Sequence, residues 1–233
     1  MQGLYKVEFQ TVHGSGRGVL YAHAGKLFGG NSAFAFTGSY DENGDEISIE
    51  VARQRHNDEP SDRPLCGCDS ITLALTGRQR GDRIDLEGSA QQAPGVVFRS
   101  TMTPISDEGS APPTADRPNG ITNGLYSINI RMLDGVDGGN TGVMVLHDGL
   151  IRGGDAYFGY IGSYISANGR WKGEIINLEH TPAKGERPVF GGYEVGIGFS
   201  GSYDDAGADG EATALVGKRS IRFKAMLKLL VPA

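Results

Sequence analysis

The sequence predicts an all-β protein made of two tandem small antiparallel β-barrels. Three observations lead to this fold class: an internal duplication, glycine-rich turn signals at short intervals, and apolar residues that alternate with a period of two. With 37 glycines among 233 residues and 38% hydrophobic residues, the composition is typical of a folded chain with many tight turns.

The duplication fixes the domain organisation. Residues 18–40 and 142–164 align without a gap at a constant offset of 124, and ten of the twenty-three positions are identical. A period of this length indicates a duplicated domain. Since each copy has the usual size of a domain, we expect a first barrel over 1–105, a linker over 106–120 and a second barrel over 121–233. The linker is rich in proline and acidic residues and has almost nothing to bury.

Within the copies, the apolar residues follow the period of half-buried strands. Four clear examples in the first copy are Leu4–Phe9, Ile47–Val51, Ser70–Leu75 and Arg83–Glu87. The turn signals between such segments give roughly seven or eight strands for each copy. A closed barrel of about eight strands leaves no exposed sheet edge, and its interior holds side chains or one small ligand.

Paired glycines recur at one place in both copies, as Gly29–Gly30 and Gly153–Gly154. We expect them to serve a sharp bend or a backbone with positive φ, which is a structural role.

Net charge and hydropathy restrict the classes of partner and the location. A formal charge of −6 and a pI near 5.4 argue against direct binding to nucleic acid, which needs a basic surface. No stretch approaches the length of apolar residues that a membrane helix requires. The start, Met1–Leu4, lacks the features of a signal peptide. We therefore expect a cytoplasmic protein without a membrane partner.

Candidate chemistry is sparse. The histidines that recur in both copies, His23 with His147 and His56 with His180, have no nucleophile in a recognisable catalytic context beside them. The acid-rich loops lack the spacing of a calcium-binding loop. We therefore predict no catalytic residue, no metal site and no cofactor, and hence a protein that is not an enzyme.

The two copies differ most at one hairpin tip. The first copy carries four carboxylates there, and the second carries two cations and the only tryptophan of the chain. These residues are Asp41, Glu42, Asp45 and Glu46 in the first copy and Arg170, Trp171 and Lys172 in the second. One interpretation is two solvated hairpins around a shared Asn-Gly turn. The other is two protein-binding tips, one acidic tip that steers a basic partner and one that presents a tryptophan.

An alternative function places a ligand inside the barrels. Aromatic residues at corresponding positions of the two copies, namely Phe34, Phe36, Phe158 and Tyr160, are candidates to line a cavity that carries a lipid or another small apolar ligand.

The segments Gly124–Ile128 and Gly153–Tyr164, separated by a glycine-rich loop, resemble the GrlR-type negative regulators of type III secretion. The first copy shows the same order of features, so the resemblance covers nearly the whole chain as two tandem units. The founding members of the family are single units.

The resemblance implies a lipocalin-like β-barrel that dimerises and represses by binding a helix-turn-helix transcriptional activator, without catalysis and without contacting DNA. A chain with two copies then corresponds to an intrachain pseudo-dimer, in which the linker raises the effective concentration of each barrel for the other. The acidic activator-binding loop of the family matches Asp41, Glu42, Asp45 and Glu46, interrupted here by Asn43 and Gly44. The sequence leaves open the identity of the partner, the contents of the barrels and any further self-association.

Overall fold

The structure is a computed structural model that describes residues 1–57, 64, 67–106, 120–133, 140–183, 190 and 194–233. All regular secondary structure in these residues is β-strand. The described part of the chain contains no helix that is long and apolar enough to cross a membrane. Of the predicted linker, residues 107–119 lie outside the described residues.

The chain divides into two compact units, Met1–Ser106 and Asp107–Ala233. Each unit contains one closed barrel of eight strands, and every pair of neighbouring strands is antiparallel. The predicted fold class of two tandem antiparallel barrels is therefore confirmed. We call them barrel 1 and barrel 2.

In barrel 1 the strands follow one another around the barrel in chain order, and β8 closes the barrel by pairing with β1. The strands are β1 (Gly3–Thr11), β2 (Gly14–His23), β3 (Lys26–Gly30), β4 (Phe34–Asn43), β5 (Glu46–Arg55), β6 (Ser70–Arg80), β7 (Arg83–Ser89) and β8 (Phe98–Pro104).

Barrel 2 repeats this order, and β16 closes the barrel by pairing with β9. Its strands are β9 (Gly124–Met132), β10 (Asn140–His147), β11 (Leu150–Gly154), β12 (Phe158–Ala167), β13 (Arg170–Glu179), β14 (Glu194–Tyr203), β15 (Gly207–Val216) and β16 (Arg219–Pro232). The pairing of β16 with β9 shifts register between Leu229 and Val231.

Apolar side chains at every second strand position fill the interiors of the barrels. In β5, Ile47, Ile49 and Val51 are buried in the core of barrel 1, while the residues between them point outward and are more exposed. Because successive side chains of a strand point to opposite faces, a closed barrel takes every second residue into its interior. Each barrel therefore has its own apolar core.

The paired glycines have the structural role that the sequence predicts. Gly30 and Gly154 have φ of 153° and 151°, a region that side-chain-bearing residues rarely adopt. A Cβ atom on Gly29 would lie 2.1 Å from the carbonyl oxygen of Val19. At Gly153 the nearest atom, the carbonyl oxygen of Val143, would lie 2.2 Å away. Neighbouring strands thus approach too closely here for any other residue.

Candidate functional site

The acidic residues of barrel 1 lie on the hairpin that joins β4 and β5. Asn43 pairs with Glu46 at its end, and Gly44 and Asp45 form the two-residue turn. Gly44 takes a φ of 62°, which glycine adopts without steric cost. All four acidic side chains, Asp41, Glu42, Asp45 and Glu46, are exposed. We call this segment, 41–46, the acidic hairpin.

The corresponding hairpin of barrel 2 uses a different turn. Its two turn residues are Asn168 and Gly169, with φ of 52° and 73°, between Ala167 and Arg170. The turn falls at the same position in both copies, but Asn-Gly occupies it only in barrel 2. The expectation of a shared Asn-Gly turn is therefore wrong, since Asn43 is the last residue of β4.

Two of the four carboxylates of the acidic hairpin are in ion pairs. Glu46 Oε1 accepts a hydrogen bond of 2.7 Å from Arg78 Nη2 on β6. Glu42 pairs with the amino group of Met1. Asp41, Glu42 and Glu46 line a shallow concavity that extends to Arg78. Both partners of the Glu46–Arg78 pair are exposed, and such a pair contributes little to stability, so Glu46 stays open to a competing cation.

Trp171 does not lie at a surface tip, and the prediction that it forms part of a protein-binding tip is wrong. It is only 4% exposed, and its Nε1 donates a hydrogen bond of 2.8 Å to the carbonyl oxygen of Asp209. Its ring lies 4.4 Å, centroid to centroid, from that of Phe199 in the core of barrel 2. The strand begins at Arg170, so alternation points Trp171 into the barrel while Arg170 and Lys172 are exposed.

The indole occupies space that barrel 1 fills differently. Trp171, Gly201 and Gly210 lie side by side on three adjacent strands of barrel 2. Their counterparts in barrel 1 are Ile47, Gly77 and Leu86. Barrel 2 thus places one large side chain beside two glycines, where barrel 1 places two medium-sized side chains beside one glycine. This exchange agrees with the close packing of protein interiors.

Barrel 1 contains a cavity of about 60 Å3. Its walls are almost entirely apolar and include Phe9, Phe36, Val51, Leu73, Leu86 and Met102. A water molecule needs about 10–15 Å3 of such space, so the cavity has room for a few waters or for a small organic group.

A cation also lines this cavity. Arg53 is 6% exposed, and its guanidinium carbon lies 4.3 Å from the ring centroid of Phe34. Arg53 Nη2 donates a hydrogen bond of 2.6 Å to the carbonyl oxygen of Cys68. The guanidinium of Arg55 lies 4.5 Å from the same ring and forms an ion pair of 2.7 Å with Asp69.

This pair of arginines was not predicted from the sequence, although a signal was present. Arg53 continues the inward series Ile47, Ile49 and Val51, so an arginine stands where an apolar residue is expected. The counterparts at the offset of 124 are Asn177 and Glu179, so the feature belongs to barrel 1 alone.

The four aromatic residues proposed to line a ligand cavity separate into two groups. In barrel 1, Phe36 lines the described cavity and Phe34 packs beneath the guanidinium of Arg53. In barrel 2, Phe158 is partly buried against the core, and the Tyr160 hydroxyl donates a hydrogen bond of 2.9 Å to Asp155 Oδ2. The Tyr160 hydroxyl is therefore bonded to a residue of barrel 2 itself.

Asp155 organises the turn before β12. Its Oδ1 accepts hydrogen bonds from the backbone N–H groups of Tyr157 and Phe158, at 2.7 and 2.9 Å. Burial raises the pKa of the Asp155 carboxyl, and these two bonds and the Tyr160 hydroxyl oppose the increase. Burial, followed by the nearby Asp155 charge, raises the pKa of Tyr160 well above its usual value. Asn31 takes the place of Asp155 in barrel 1 and accepts the equivalent two backbone bonds.

Two of the recurring histidines, His56 and His180, make local hydrogen bonds. His56 Nε2 lies 3.1 Å from the carbonyl oxygen of Asn31, and burial lowers the pKa of this imidazole. His180 Nδ1 lies 3.0 Å from Thr181 Oγ1. Among the described residues, no three His, Cys, Asp or Glu side chains are grouped as they would be in a metal site.

Comparison with known proteins yields little. No family model matches the chain, and no curated protein matches it. The chain is similar to a crystal structure from Bacteroides fragilis whose name proposes an outer membrane protein. The two are 11% identical, with a TM-score of 0.26, over 98% of this chain and 96% of that one. A likeness at this level supports no conclusion about function.

Proposed function

We propose that the chain is a non-enzymatic cytoplasmic interaction protein that binds a partner protein through the acidic hairpin of barrel 1. The observation that supports this best is the grouping of four exposed carboxylates on one hairpin of six residues. Such a group attracts and orients a basic protein surface.

The duplication strengthens the proposal because barrel 2 lacks these acids. At the offset of 124, Ile165, Ser166, Gly169 and Arg170 take the places of the four carboxylates. Both barrels close with eight strands, so the acids are not needed to form the hairpin. A charge that the fold does not require is a candidate for recognition.

The resemblance to GrlR-type regulators suggests the class of partner. It is a helix-turn-helix transcriptional activator, and binding to the acidic hairpin would hold that activator away from its DNA. The protein would then act as a negative regulator of transcription without touching DNA itself. Its net charge of −6 agrees with a partner that is basic.

Changing Asp41, Glu42, Asp45 and Glu46 together to alanine tests this function. The measurement is the capture of purified helix-turn-helix activators of the source organism in a pull-down. We expect capture by the wild-type chain, decreasing as salt increases, and loss of capture by the variant. The matched control changes four other exposed acids, Glu50, Asp82, Glu87 and Glu174, to alanine. Equal capture by the hairpin variant and the wild type would exclude the acidic hairpin as the binding site.

The cavity in barrel 1 favours a second function, which is carriage of a small apolar ligand. An apolar wall with a few polar groups is typical of ligand sites. The volume of about 60 Å3 suits a small molecule and not a long lipid chain. Native mass spectrometry of the purified protein tests this function, because a carrier retains a stoichiometric ligand and an empty barrel does not.

A further inference from the structure

We infer that barrel 2 binds an acidic, extended peptide segment of a partner protein on the outside of β9 and β16. Four exposed cations mark this surface, which we call the basic face: Arg131, Arg222, Lys224 and Lys228. Residues 216–233 contain five lysines and arginines and no aspartate or glutamate, in a chain whose net charge is −6. The charge of this segment is therefore opposite to that of the chain as a whole.

Strand alternation brings the cations of β16 to one side. The interior positions of this strand are apolar and pack in the core of barrel 2. The positions between them point outward, and in order they are Arg222, Lys224, Met226 and Lys228. Met226 is 51% exposed. Side chains on one face of a strand are about 7 Å apart. The outside of β16 is therefore a row of cations with one exposed apolar side chain in it.

The basic face contains two cations as direct neighbours. Arg131 on β9 lies opposite Lys224 on β16, and like charges at such a position destabilise an antiparallel pair. The acid opposite Lys224 on β15 is Glu211, which forms an ion pair of 3.2 Å with Arg222. Arg131, Lys224 and Lys228 form no ion pair with any residue that the structure describes. Folding does not account for these three cations, and an anion from outside would relieve their repulsion.

The same surface of barrel 1 is balanced in charge. The corresponding pair, three residues along from a core pair in each barrel, is Gln10 opposite Arg99. Arg99 forms an ion pair of 2.8 Å with Glu87 on β7. Glu8 stands where barrel 2 has the uncharged Asn129. Both barrels close with eight strands, so closure does not require the cations of the basic face.

The spacing of the basic face fits an extended peptide. Alternate side chains of such a peptide are also about 7 Å apart. Acids at its first, third and seventh positions can therefore lie against Arg222, Lys224 and Lys228. Its fifth position then lies against Met226, whose flexible thioether adapts to apolar side chains of different shapes. Several acids must act together, because a single exposed ion pair contributes little.

Three features favour a short acidic peptide over a nucleic acid or an anionic membrane. The net charge of −6 repels a long polyanion that extends beyond the basic face. The exposed acids Asp209 and Glu211 border the face on β15 and add to this repulsion. The outward side chains of β9 and β16, all within the described residues, include no aromatic ring on which bases could stack. A short peptide needs only the local charge.

NMR titration of the isotope-labelled full chain with a seven-residue peptide tests the inference. The peptide has glutamate at positions one, three and seven, leucine at position five and serine elsewhere. We expect amide shifts concentrated in β9 and β16, and an affinity that falls as salt increases. Changing Lys224 and Lys228 together to glutamine should weaken binding about tenfold. The control changes two exposed cations of barrel 1, Lys26 and Arg80, to glutamine and should bind as the wild type does.

Each outcome decides part of the inference. Absence of shifts at millimolar peptide would overturn it, as would equal weakening by the two double variants. A peptide with glutamine for glutamate should not bind the wild-type chain, which keeps the test valid if a variant does not fold. Serine at position five should weaken binding, and unchanged affinity would overturn the contact with Met226.

Two further probes test the class of ligand. Tighter binding of a single-stranded oligonucleotide or of phosphatidylserine vesicles than of the peptide would overturn the assignment to an acidic peptide. None of these measurements involves the acidic hairpin of barrel 1. The inference and the proposed capture of a basic partner can therefore fail independently of each other.

Discussion

The indole Nε1 of Trp171 donates a hydrogen bond of 2.8 Å to the carbonyl oxygen of Asp209, which lies two strands away across the inner wall of barrel 2. The indole reaches it because Gly201 and Gly210 leave the wall between the strands bare. A Cβ atom on Gly210 would already lie 3.8 Å from the indole. The glycines and the tryptophan therefore act as one unit.

We predict that the losses of unfolding free energy caused by exchanging Trp171 and Gly210 for their barrel 1 counterparts are not additive. Trp171→Ile leaves a cavity and should cost about 3–5 kcal/mol of unfolding free energy. Gly210→Leu places a side chain against the indole and should cost about 1–3 kcal/mol. The double variant reproduces the Ile47 and Leu86 pair of barrel 1 and should cost less than the sum of the two single changes.

Urea unfolding followed by circular dichroism measures these differences without depending on the tryptophan signal. Additive costs would show that the tryptophan and the glycine are independent of each other.

The hairpin between β12 and β13, which carries Trp171, shows which features can and cannot be predicted from the sequence. Alternation and turn signals predicted the strands and the closed barrels, because both follow from local patterns. The side on which Trp171 lies depends on which two residues form the turn, and an error of one residue moves a side chain to the other face. The Asn-Gly pair occupies 43–44 in the first copy and 168–169 in the second, so it is displaced by one residue at the offset of 124, although the turn and the pairing register of the two hairpins are the same.

The cavity and Arg53 were missed for another reason. A cavity is what remains after all side chains have packed, and no local pattern predicts that remainder. An inward arginine near the end of a strand also resembles an ordinary polar residue at a strand end. The comparison of Arg53 with Asn177 at the offset of 124 would have marked the position.

We predict that barrel 2 loses stability as pH rises through the titration of the Asp155 carboxyl. Burial raises its pKa in the folded state. Between the ordinary aspartate pKa and this raised value, the folded state holds a proton that the unfolded state has lost. Stability therefore falls as pH increases across that window and stays lower above it. Asp155→Asn should remove this fall, as seen in thermal unfolding measured from acid to neutral pH.

The partner of this carboxyl gives a second test. Tyr160→Phe removes the hydroxyl donor to the carboxylate and should cost about 1–3 kcal/mol at neutral pH. Adding Asp155→Asn reproduces the Asn31 and Phe36 pair of barrel 1 and should recover most of that loss. If the double variant is as unstable as Tyr160→Phe, the hydroxyl contributes by packing alone.

Substitutions at two glycines should distinguish two roles of glycine, namely to allow neighbouring strands to approach closely and to give the backbone conformational freedom. Gly153→Ala would place its Cβ 2.2 Å from the carbonyl oxygen of Val143 and should cost about 3 kcal/mol or more. Gly198→Ala is the matched control, because no atom lies within 4 Å of its Cβ. It should be neutral or stabilise by about 0.5–1 kcal/mol, since alanine loses less chain entropy on folding. Similar destabilisation by the two changes would contradict the close approach of β10 and β11.

The acidic hairpin allows its turn and its charge to be tested separately. Replacement of Gly44 and Asp45 by Asn and Gly installs the turn of barrel 2, whose two positive φ values suit the twist of a hairpin. The backbone carbonyl of residue 45 still accepts the N–H of Gln79, so the unfolding free energy should change by no more than about 0.5 kcal/mol. One of the four carboxylates is lost, so partner capture should weaken and depend less on salt. Unchanged capture with unchanged salt dependence would remove Asp45 from the binding site and leave Asp41, Glu42 and Glu46 as its acids.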